Sequence, residues 1–133
     1  MEENLSLGLL TFFAGKPEEE VLARQALTWL LAELPGTDIR VQKSQITFRG
    51  RYNFGAFSLP RRAQDKRAHA LLLTLGLPVR LDTDRVAIAT EPYPGRWTHH
   101  IPLTSPQDLD EELRGWVHAA YQFAETKGRS PAP

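Results

Sequence analysis

The run Arg96-Trp97-Thr98-His99-His100 holds the densest set of chemically capable side chains in the sequence. An imidazole titrates near neutral pH and binds metals readily. In an extended strand, however, neighbouring side chains face opposite sides. His99 and His100 therefore cannot share one metal without a bulge. His99 keeps the parity of Trp97 and Ile101, and His100 that of Thr98, so one of the two reaches a polar, partly open face. His69 and His118 stand alone, and His118 falls on a helix flank two residues after Trp116. A metal centre needs three or four convergent ligands, and there is no His-x-x-x-His or His-Glu-x-x-His spacing. No cofactor is expected.

Covalent chemistry is poorly provided for. The chain has no cysteine, which removes thiolate nucleophiles, disulfides and Cys-ligated clusters. It has no Gly-x-Ser-x-Gly elbow and no Walker or Rossmann glycine loop. Glu18–Glu20 and Asp110–Glu112 are acids whose natural place is the first turn of a helix. No motif points to an enzyme.

Binding chemistry is better represented. Arg49, Arg51, Arg61, Arg62, Lys66 and Arg67 crowd one stretch, with Tyr52, Phe54 and Phe57 between them. Guanidinium forks hold phosphate or carboxylate oxygens, and aromatic rings stack on bases. Two plainer explanations compete: a cationic sheet edge that discourages aggregation, and charge complementarity to acidic helices. Trp29 and Trp116 fall in apolar helical stripes and are expected in the core. Trp97 opens a strand after Gly95-Arg96, with Pro92-Tyr93-Pro94-Gly95 as a stiff lip beside it.

The elements that must position these groups are legible from periodicity and punctuation. Pro17 and the acids behind it begin a helix whose apolar residues Leu22, Ala26, Trp29, Leu30 and Leu34 follow a 3.6 period, until Pro35-Gly36 stops it. Leu5 to Ala14 reads as either a short helix or a strand. Between Asp38 and Leu103, short β-branched and aromatic runs are separated by Gly, Pro and Asp. They predict strands at Ile39–Val41, Ile46–Phe48, Asn53–Leu59, Arg85–Glu91 and Trp97–Leu103; Lys66–Leu75 reads as either helix or strand, its propensity favouring the first and its length and neighbours the second. A closing helix is expected with Ser105 as N-cap, Pro106 in its first turn and Asp108 completing a capping box. Its stripe is Leu109, Leu113, Trp116, Val117, Ala120 and Ala124, and its end is Gly128, followed by a flexible tail over about 128–133. The expected fold is α+β: one domain over 1–133, an antiparallel meander of five or six strands with N- and C-terminal helices on one face.

The formal net charge of zero conceals a segregation. Residues 1–37 carry two bases and six acids, residues 38–102 eleven and five, and residues 103–133 three and five. The segments are thus −4, +6 and −2, totalling 16 bases and 16 acids. Such asymmetry points to an anionic partner of the basic segment. No run approaches the roughly 20 apolar residues of a membrane span. Leu5–Phe13 follows two glutamates, unlike a signal peptide. A cytoplasmic location is expected.

The chain resembles a bacterial and archaeal family known as domain of unknown function 5655. The resemblance lies in Phe13-Ala14-Gly15-Lys16-Pro17, in Lys43-Ser44-Gln45-Ile46-Thr47-Phe48 and in Arg96-Trp97-Thr98-His99 with Ile101 and Leu103. It continues through Ser105-Pro106, Asp108-Leu109-Asp110, Glu112-Leu113, Trp116 and Ala120-Tyr121, spanning about residues 12 to 124. That family has no established activity. The occurrence of its members beside other domains, some nuclease-like, implies an accessory binding role. The element order is also similar to the frataxin-like arrangement, which implies iron handling by acids on the first long helix, here Glu18, Glu19 and Glu20.

The sequence thus predicts a non-enzymatic binding module. Arg49, Arg51, Tyr52, Arg61, Arg62, Arg96, Trp97, and His99 or His100, face a nucleic acid or a phosphate- or carboxylate-bearing ligand. The alternatives are metal handling at Glu18, Glu19 and Glu20, or a protein-interaction domain that dimerises through a strand edge.

Overall fold

The computed structural model describes residues 1–60 and 70–126. The chain runs α1 (Glu3–Phe12), α2 (Pro17–Glu33), β1 (Asp38–Val41), β2 (Ile46–Arg49), β3 (Asn53–Ser58), β4 (Leu71–Leu77), β5 (Ile88–Tyr93), β6 (Arg96–Leu103), a one-turn 3₁₀ segment (Pro106–Asp108) and α3 (Glu111–Glu125). The fold is α+β, with one six-stranded antiparallel sheet beneath helices from both ends of the chain. The described end of Lys66–Leu75 is strand, the start of β4; its first residues lie outside those described, as does the tail over 128–133.

Strand order is β1-β2-β3-β4-β6-β5. The expected meander therefore holds through β4 and then breaks, because β6 inserts between β4 and β5. The physical cause is residues 78–87, which carry the chain past the β6 position before β5 begins. Leu81 and Val86 pack against the core from this segment, and Asp82-Thr83-Asp84 turns as expected, with Val86 N–H bonded to Thr83 O. Arg85 is drawn toward α3, so β5 starts at Ile88 and not at Arg85. Pro94 and Gly95 make the two-residue β5–β6 turn; Gly95 has φ +73°, the left-handed value a turn of this kind assigns to glycine.

α1 settles the ambiguous upstream segment as a helix. The Glu2 carboxylate caps it by accepting from the N–H groups of Asn4 and Leu5. α2 begins at Pro17 as expected and buries Leu22, Ala23, Ala26, Leu27 and Leu30. The closing helix starts later than its sequence suggested. Asp108 Oδ2 does reach back to the Ser105 N–H at 3.2 Å, but only one 3₁₀ turn follows. The helix proper is capped by Asp110, whose carboxylate accepts from Leu113 N–H at 3.0 Å. The Ser105 and Asp110 signals are five residues apart, and the second governs α3.

The core lies between the helices and one sheet face. Leu71, Leu73, Leu75 and Leu77 alternate inward along β4, and Ile101 and Leu103 do so along β6. Phe48 stacks edge-on against Phe57, with ring centroids 4.9 Å apart. A register shift beside Arg49 leaves Phe54 without a partner and turns its ring onto Tyr121 of α3, 5.3 Å away. Trp29 and Trp116 are half-buried at the core's rim instead of inside it. Each lies under an arginine: Arg114 Cζ is 5.3 Å from the Trp29 ring and Arg85 Cζ is 5.2 Å from the Trp116 ring.

Candidate functional site

Strand register sorts the candidate side chains. Ile39, Phe48, Gly55, Leu75, His99 and Ala89 form one row across the six strands, on the face covered by helices. The next row, Arg40, Thr47, Ala56, Thr74, His100 and Ile88, faces the other way. No bulge separates His99 from His100, so their side chains diverge. His100 is the histidine of the outer face, and its Nδ1 lies 3.0 Å from Thr74 Oγ1. His99 is fully buried, and its Nε2 accepts a hydrogen bond from Leu81 N–H at 3.0 Å. Burial pushes both imidazoles below the ordinary histidine value; His100 and Arg80 depress His99 further.

The arginines do not gather on one sheet face. Arg49 closes β2 opposite Asp38, and Arg51 sits in the β2–β3 turn with Cζ 5.7 Å from the Tyr52 ring. Arg96 opens β6 with Cζ 5.6 Å from the Phe123 ring of α3. Arg61 and Arg62 lie outside the described residues, as do Lys66, Arg67 and His69. Two further arginines carry roles that local sequence did not signal. Arg80 lies 6.0 Å from the Trp97 ring. Arg85 donates to Asp110 and Glu112 at 3.0 Å and to the Asp108 carbonyl at 2.8 Å. Part of the basic segment's charge is therefore spent on the acidic start of α3, the second of the two plainer explanations.

Arg96 and Trp97 do share a cavity. An open depression of about 370 Å³ is walled by Arg96, Trp97, Tyr93 and Phe123, with the hydroxyl-bearing Thr74 and Thr98 among its floor residues. Thr98 pairs with Gly76, and nothing lies within 4 Å of where a Gly76 Cβ would stand, so the floor is wide there. Pro92 and Tyr93, expected in a loop, are the end of β5 and line the depression beside Trp97. Arg49, Arg51, Tyr52, His99 and His100 are not part of the lining. Chemically, the depression offers one guanidinium, flat aromatic walls and neutral hydroxyls: a place for an anionic group attached to a planar body.

Two of the three acids of the metal alternative have different surroundings. Glu20 Oε2 pairs with Arg24 Nε at 2.8 Å, while Glu19 is buried. Among the described residues, no group of three or more His or carboxylate side chains is placed to hold a metal ion. Nor is any described helix long and apolar enough to cross a membrane.

No curated protein and no solved structure matches the chain. Residues 11–124 match the family described as "Domain of unknown function (DUF5655)", a span from the end of α1 to the last turn of α3 that contains every strand. The chain belongs to the DUF5655 family.

Proposed function

We propose that this protein is a non-enzymatic binding module, acting in the cytoplasm, whose depression holds a phosphate- or carboxylate-bearing ligand with a planar ring. The observation that carries this reading is the placement of Arg96 beside Trp97 on one concave surface with Thr74 and Thr98. The guanidinium engages the anion, the aromatic walls take the ring, and the hydroxyls supply orientation. A concave site of this size favours a single nucleotide unit over a long duplex.

Calorimetric titration with AMP and with single-stranded and duplex oligonucleotides tests the reading at low salt. AMP or a short single strand binds, Arg96→Ala and Trp97→Leu each weaken binding about tenfold, and the salt slope is that of one or two phosphates. No binding of any of the three at low salt, or binding by both variants as tight as that of the unchanged chain, rejects it. A second reading rests on β5, an edge strand that exposes Ile88 at 56% and Tyr93 at 67%. Such an edge suits pairing with a second copy. Light scattering that returns a monomer at high concentration excludes it.

A further inference from the structure

The C-terminal ends of α2 and α3 meet the β2–β3 turn around a second cavity, of about 230 Å³. Its walls include Glu33, Thr37, Arg51, Tyr121 and Glu125. Thr37 is 9% exposed, and its Oγ1 is buried with no hydrogen-bond partner. Glu125 Oε2 is likewise buried with no partner. A buried polar atom left unpaired carries its full desolvation cost, and a charged one carries more. Folded proteins keep such atoms rarely, and a missing ligand is one of the reasons they do.

Electrostatics sets the charge that this cavity prefers. Two helices end here, each presenting the negative end of its dipole. Neither carries a base in its last turn. Glu33 and Glu125 add their carboxylates, with His118 Nε2 3.3 Å from Glu33 Oε1. Arg51 is the cation on the wall, and its guanidinium lies against Tyr52. Number and shape narrow the class. Only one oxygen of the Glu125 carboxylate, Oε2, is buried without a partner, so the bidentate fork of a guanidinium has no matching pair of such oxygens. A calcium ion would need six to eight oxygens.

We propose that this cavity binds a primary ammonium group, with Glu125 Oε2 and Thr37 Oγ1 accepting its N–H bonds. An ammonium brings three donors and no acceptor, which suits two vacant oxygens at a negative helix junction. The site is independent of the Arg96–Trp97 depression and of opposite charge preference.

The test titrates the full chain with putrescine and with N-acetyl-lysine methylamide, by calorimetry and by amide chemical shifts. One equivalent of amine binds, shifting the amides of Thr37, Gly50 and Tyr121, and Glu125→Gln weakens it roughly tenfold. Thr37→Val weakens it less, and thermal melting verifies that both variants fold. Tighter binding of putrescine marks a free polyamine as the source; tighter binding of the lysine derivative marks a protein side chain. The proposal is overturned if neither amine binds at millimolar concentration. It is also overturned if the shifts fall elsewhere, if Glu125→Gln binds equally well, or if calcium chloride occupies the cavity in preference to both amines.

Discussion

The imidazole Nε2 of His99 accepts the backbone N–H of Leu81 at 3.0 Å, tying the middle strand pair to the segment that breaks the meander. An accepting Nε2 leaves the proton on Nδ1, so the ring is neutral in this arrangement. That Nδ1 is buried without a partner of hydrogen-bond geometry, facing the Leu75 backbone. Next to Leu81, Arg80 lies over Trp97 on the wall of the depression. The buried histidine therefore anchors the segment that carries Arg80 against Trp97.

A pH dependence follows. Burial, with Arg80 and His100 nearby, holds the His99 pKa below its ordinary value, and burial does the same for His100. As pH falls, the unfolded chain takes up these protons first, so unfolding gains. The stability they contribute is whole above the unfolded value near 6.5 and is lost as pH falls through it, until the folded pKa is reached. Urea midpoints measured from about pH 8 to about pH 5 should fall. His99→Gln, which keeps an acceptor that does not titrate, should flatten the slope in part, and His100 accounts for what remains. An unchanged slope in His99→Gln contradicts this assignment.

Two glycines make opposite predictions. A Cβ on Gly55 would stand 2.9 Å from Phe48 Cδ2 and 3.0 Å from the Thr74 backbone oxygen. The sheet itself would have to move, so Gly55→Ala should cost about 1–3 kcal/mol by overpacking. Gly76 meets nothing within 4 Å. Gly76→Ala should be neutral or slightly stabilising, because alanine loses less entropy in a strand. Chemical denaturation of both variants checks the contrast. Gly76→Phe should fold and abolish ligand binding, since it fills the depression.

What was legible in the sequence divides by range. The parity of Trp97, His99, Ile101 and Leu103 separated the two histidines without saying which one faced outward, and Pro17 with its acids placed the start of α2. Both are local signals. The insertion of β6 was not legible, because it depends on residues 78–87 docking on the core through Leu81 and Val86. Arg80 and Arg85 were missed for the same reason: their partners, Trp97 and Asp110, are distant in sequence. The charge segregation was read correctly as arithmetic, yet the described arginines disperse to a turn, a hairpin and a helix cap. One-dimensional density of charge does not imply a common face.

The Arg85–Asp110 junction supplies the last prediction. Asp110 caps α3, and its carboxyl lies below the usual range, first through Leu113 N–H and then through Arg85. Asp110→Ala should cost about 1 kcal/mol, within the usual span for a lost N-cap. Ser105→Ala should cost less, because that residue precedes only a 3₁₀ turn. Arg85 is partly buried, holds both Asp110 and Glu112, and covers Trp116. Lysine cannot reproduce that set, since it lacks the planar fork. A double-mutant cycle of Arg85→Lys with Asp110→Asn isolates the pair, because asparagine still caps the helix while losing the charge. Its coupling should be about 0.5–1 kcal/mol at low salt and smaller at high salt, Asp110 being half-exposed. A coupling near zero at low salt would mean that the basic segment and the acidic helix start merely lie side by side.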